Sequence, residues 1–149
     1  MKATPEIEKL LATPEPPDLG PGPRKGVLPE KALNDELHKI GVSDLLRAAV
    51  LVWHDHLDSA HKIVQNIETP DGSYIHAIIH RREPDYSNSK YWFRRVGDHP
   101  CFAELSVALR QKWDPVAFVD ACQRRNAKTE PQLREIQATE LRLLIDHLL

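Results

Sequence analysis

The chain has 149 residues, enough for one domain. At that size folding buries roughly 70% of the unfolded chain's surface, so no covalent staples are required. Twenty basic and 22 acidic side chains leave a formal charge of −2, which argues against a general polyanion binder and against an acidic tail.

Twelve prolines are present and seven fall in the first 29 residues, so regular structure cannot persist there. Residues 1–29 read as an extended proline-rich arm with one short helix near Pro5–Leu11, and residues 30–149 as a single helical domain. Glu30–Ile40 has the length of a short helix, stopped by Gly41. Ser43 is placed as an N-cap. The apolar residues Leu45, Leu46, Ala49, Val50, Val52, Trp53 and Leu57, with Ala60, Val64 and Ile67 extending the stripe, then predict one long helix to about Asn66.

Thr69-Pro-Asp-Gly reads as a turn. Ser73–Arg82 reads as a helix, with a strand over Tyr74–Ile79 as the alternative. Pro84–Asn88 reads as a loop and Ser89–Val96 as a helix ended by Gly97. Asp98 and Pro100 announce a helix through Gln111, Asp114-Pro115 one to about Arg125, and Glu130-Pro131 the last. Short connections favour antiparallel neighbours, so the expected fold is all-α: an irregular antiparallel helical bundle with an extended arm.

Six of the eight histidines lie between positions 54 and 99. On a continuous helix His54, Asp58, His61 and Gln65 form one stripe bordering the apolar face, and His56 points away unless the helix kinks near His54. His76 and His80 share a face whether their segment is helix or strand. With a turn of about six residues between the two elements, the two stripes can face each other. Imidazoles and a carboxylate converging there can bind a divalent transition metal through His54, His61, His76 and His80. They can instead supply acid–base catalysis, with His54, Asp58, His61, His76 and His80 as the catalytic set. The plain alternative is a row of hydrogen-bonded histidines at the edge of the core. Neither HExxH nor zinc-finger spacing is present.

From Arg81 to Arg95 the chain carries five basic and two acidic residues. Arg81, Arg82, Lys90, Arg94, Arg95 and His99 are candidates to hold an anion. Tyr86 and Trp92 could wall a pocket, and Asn88 adds hydrogen bonding from a loop. Packing and ion pairing with Glu83, Asp85 and Asp98 would equally account for these residues. The patch is too small, and the overall charge of the wrong sign, for nucleic acid.

The segments Trp53-His-Asp-His-Leu-Asp and His80-Arg-Arg-Glu-Pro-Asp-Tyr-Ser-Asn-Ser-Lys-Tyr-Trp-Phe-Arg-Arg-Val-Gly-Asp-His-Pro resemble the signature of a family of small uncharacterised proteins. The resemblance covers about residues 45–120 and brings no activity with it. It implies only that residues 54–99 act as a unit.

Cys101 and Cys122 have neither CxxC nor framework spacing. With no leader pattern evident, a reducing cytoplasm is the expected compartment. The longest apolar run, Ala48–Trp53, falls far short of the ~20 residues that span a bilayer, so no membrane partner is expected. Two functions fit. One is a histidine-cluster enzyme or binder, metal-dependent or acid–base, acting on a small anionic metabolite. The other is a non-enzymatic interaction or oligomerisation module. It would use the proline-rich arm, or the apolar face Leu133, Ile136, Leu141, Leu144, Ile145 and Leu148 of the last helix, to take a partner or a second copy of the chain.

Overall fold

A computed structural model describes residues 4–149, and all the regular structure in them is helical. The order is α1 (Pro5–Leu11), α2 (Glu30–Ile40), α3 (Asp44–Trp53), α4 (Leu57–Val64), α5 (Pro70–Arg82), α6 (Tyr86–Val96), α7 (Pro100–Leu109), α8 (Pro115–Gln123) and α9 (Glu130–Leu148). None of these helices is long and apolar enough to cross a membrane.

Local chemistry explains most boundaries. Thr4, Ser43, Thr69, Asp85, His99 and Asp114 each accept a backbone N–H with the side chain at a helix start, and proline follows at the start of five of the helices. Gly41 ends α2 at φ 79°, a conformation that costs glycine little.

Three expectations are corrected here. Thr69-Pro-Asp-Gly is the capped first turn of α5, because Thr69 Oγ1 accepts the N–H of Gly72. That start needs glycine: a Cβ at Gly72 would lie 2.1 Å from the carbonyl oxygen of Ile67. The strand alternative for residues 74–79 does not occur. Helix α6 begins at Tyr86 rather than Ser89, with Asp85 as its cap, so Ser87 and Asn88 are helical and not in a loop.

The largest correction is the predicted long helix, which is broken between Trp53 and Leu57. Asp55 sits in the left-handed region at φ 64°. Its buried carboxylate pairs with Arg24 at 2.8 Å and Arg82 at 2.6 Å, and accepts the backbone N–H groups of Asp18 and Arg24. Two arginines from distant segments thus hold the chain in a bend that a straight helix would forbid.

Helix α5 lies at the centre, buried from Gly72 to Arg82, with α6, α4 and α3 packed on it and α9 closing over α3 and α7. A helix buried all round needs partners for the charges it carries. The Arg81 guanidinium donates to Glu140 at 2.7 Å and Gln137 at 3.0 Å, and Arg82 to Asp55, the Val52 carbonyl and the Gly20 carbonyl.

Residues 12–28 contain no helix, and their course is fixed by the domain. Arg24 also donates to the Trp53 carbonyl, Arg134 donates to the carbonyls of Pro16 and Pro17, and Gln137 donates to that of Asp18. Ile7, Leu10 and Leu11 belong to the main core, and Leu19 joins a smaller cluster with Leu105, Trp113, Phe118, Cys122 and Leu133. In α9, Leu141, Leu144 and Ile145 are buried in the main core.

Candidate metal centre

Helices α4 and α5 run side by side, joined by residues 65–69, and bring His61 of α4 against His76 and His80 of α5. One ligand atom from each of the three lies within 4.8 Å of the other two. The His76 and His80 rings stack at 4.7 Å, one turn apart on α5, and His61 meets both edge-on at 4.8 and 5.6 Å. Trp92 of α6 covers His76 with a parallel stack at 4.0 Å. His76 and His80 are buried, and His61 is half-buried.

No ring nitrogen of His61 or His76 makes a hydrogen bond within the described residues. His80 has neighbours on both sides: Nδ1 is 3.1 Å from a Glu83 carboxylate oxygen and Nε2 is 3.4 Å from Asn88 Nδ2. Burial, with the neighbouring His80 and His61 adding to it, lowers the pKa of His76 to about 4. Burial also lowers that of His80, opposed by Glu83 and Asp85. Neutral imidazoles keep a lone pair for a metal at neutral pH.

The distances suit a small ion after a modest closure. Bonds of 2.0–2.1 Å to a tetrahedral zinc put ligand nitrogens about 3.3 Å apart. The half-buried His61, bound to its neighbours by ring contacts alone, is the ligand best placed to move in.

The other predicted ligands lie elsewhere. His54 is not part of the group: its Nδ1 accepts the N–H of Leu28 and its Nε2 donates to the Leu10 carbonyl at 2.7 Å, so both nitrogens are spent on the N-terminal segment. The bend at Asp55 takes it out of line with His61. His56 bonds the Leu28 carbonyl in the same way. Asp58 is exposed and lines an open cleft of about 470 Å³ with Glu30, Glu83 and the Pro21–Pro23 turn. A cleft of about 580 Å³ between α2 and the α3–α4 pair is lined by none of the three clustered histidines.

The predicted anion-binding residues are mostly engaged. Arg81 and Arg82 are wholly buried and paired, so they do not face a ligand. Lys90 pairs with Asp120 at 2.6 Å, and the Tyr86 hydroxyl accepts from Arg125. Arg94 is exposed beside Lys90 and Tyr86 in a shallow groove. Arg95 lies over Trp92, its guanidinium 5.3 Å from the ring centre, and pairs with Glu68 at 3.2 Å.

Asp71, His99 and His147 form a second group that sequence reading did not assemble. His99 Nδ1 accepts the N–H of Cys101, which fixes the ring proton on Nε2, and Nε2 donates to Asp71 at 2.6 Å. That nitrogen has no lone pair for a metal. His147 reaches the same Asp71 oxygen at 3.1 Å. The group fastens the starts of α5 and α7 to the end of α9. Sequence places the cap of α7 at Asp98, whereas His99 holds it, and the rest of the group is out of reach because Asp71 and His147 are 76 residues apart. Cys101 beside it is buried, and burial pushes its thiol up to about 12, so it is a packing residue rather than a nucleophile.

Comparisons with protein-family models, with curated proteins and with solved structures return no match for this chain.

Proposed function

We propose that this protein binds a divalent transition metal through His61, His76 and His80 and presents it to a small anionic molecule. The observation that carries the reading is the convergence of three imidazoles from two adjacent helices, two of them with no competing hydrogen bond. Zinc, iron, cobalt and nickel all accept imidazole nitrogen. Three protein ligands leave a position for water or substrate, the pattern of catalytic rather than structural zinc sites. Neutral imidazoles leave the ion's positive charge uncompensated, which favours an anion at that position.

The test is metal analysis of untagged protein, followed by titration with Zn²⁺ and Co²⁺. One equivalent is expected, because the Asp71 group is locked in a metal-refusing tautomer. Co²⁺ should give the visible bands of a low-coordinate site and quench Trp92 fluorescence, and both should vanish in His76→Ala. Uptake below roughly a tenth of an equivalent after metal addition would sink the reading.

A further inference from the structure

Among the three candidate ligands, only His80 has polar neighbours on both ring nitrogens. Asn88 Nδ2 lies 3.4 Å from His80 Nε2 and also 3.4 Å from Asp85 Oδ2. Turned over, the Asn88 amide would set its oxygen against the Asp85 carboxylate, so Asp85 fixes which end faces His80. The end that faces it is an N–H, and Nε2 must accept. A neutral imidazole has one N–H and one lone pair, so the proton is on Nδ1. Nδ1 lies buried without a well-aligned hydrogen bond, and the nearest acceptor is the Glu83 oxygen at 3.1 Å, set off the direction of the ring N–H. The Glu83 side chain is 32% exposed and has room to turn into line.

Resting on the metal-binding reading above, we infer that Glu83 and Asn88 set the affinity of the site in opposite senses. Glu83 holds the proton on His80 Nδ1 and so keeps the lone pair on Nε2 for the metal. Asn88 occupies that lone pair in the metal-free protein, and the ion must displace its N–H to bind. A carboxylate behind a ligating imidazole fixes the ring and raises its basicity, and losing such a partner typically costs 10–100-fold in metal affinity. The Asn88 amide is a competitor, so its removal strengthens binding. The displaced amide keeps Asp85 as a partner. Both are positioning residues, and a merely structural role for Asn88 would give the opposite sign.

The experiment compares Zn²⁺ affinity, by competition with a chromophoric chelator, for the full chain and for Glu83→Gln and Asn88→Ala. Long-range ¹H–¹⁵N NMR reads the His80 tautomer without metal. Glu83→Gln should bind Zn²⁺ about 10–100-fold more weakly. Asn88→Ala should bind several-fold more tightly, and metal-free His80 should be the Nδ1–H tautomer. Unchanged affinity in either variant, or weaker binding by Asn88→Ala, would overturn the inference and leave the three-histidine reading standing. An Nε2–H tautomer overturns the inference on its own. If the wild type takes up no Zn²⁺, the metal reading falls and the affinity roles fall with it. Should Asn88→Ala not fold by circular dichroism, Asn88→Ser, too short to reach Nε2, carries the same expectation.

Discussion

Asp55→Ala should cost about 3–5 kcal/mol of stability, because it leaves the Arg82 charge buried and unpaired. The Asp55 and Arg82 side chains have no exposure, and their oxygen and nitrogen stand 2.6 Å apart. Arg24 loses its partner too, and with it the N-terminal segment loses two backbone anchors at Asp18 and Arg24. At roughly 2–4 °C per kcal/mol for a chain of this size, Tm should fall by about 10 °C. Burial pushes the Asp55 carboxyl up, but Arg82 and the Arg24 N–H and guanidinium outweigh it and hold it below the ordinary carboxylate value of 3.8. The stabilisation from this lowered pKa is therefore present above pH 3.8 and is lost as pH falls through the lower folded-state value. Replacing both partners by well-packed neutral groups should cost less than removing one. A loss below about 1 kcal/mol in urea unfolding of Asp55→Ala would show that the bend does not depend on this pair.

The second large effect belongs to His76. Its pKa is about 4 in the fold against an ordinary 6.5, so the folded state binds fewer protons in that interval. The contribution to stability is full above pH 6.5 and falls as pH drops toward 4. The shift corresponds to about 3 kcal/mol. His54 and His80 are lowered as well and act in the same direction. His76→Phe keeps a ring against Trp92 and removes the titration. Urea midpoints from pH 7 to pH 4 should therefore fall more steeply in the wild type than in His76→Phe. Parallel curves would mean that His76 is not desolvated as its position requires. The same desolvation keeps the imidazole neutral, the form that a metal ion needs.

The sequence carried the helices further than it carried the site. Caps such as Ser43 and Asp114-Pro115 are local signals, and the structure places helix starts at both. The pairing of His76 with His80 was legible for the same reason, since a spacing of four survives any regular structure. The bend at Asp55 was not, because Arg24 and Arg82 lie about 30 residues away on either side. Once the helix bends, His54 leaves the stripe while His61 stays in it. Arg81 and Arg82 misled for a related reason. An arginine pair at the end of an apolar segment looks solvent-facing, and only the arrival of Glu140 from α9 and Asp55 from the bend makes burial affordable.

The docking of residues 12–28 has a consequence for synthesis. A ribosome delivers this stretch before most of the groups that fasten it: Asp55 and Arg82 come later, and Arg134 and Gln137 come more than a hundred residues after it. A stretch made before its partners is therefore among the last to find its place. During that wait it has little to pair with. Its prolines remove backbone donors and disfavour both helix and strand, which makes it a poor partner for another nascent chain. The composition that denies this segment a structure of its own lets it wait, extended, for the helices that give it one.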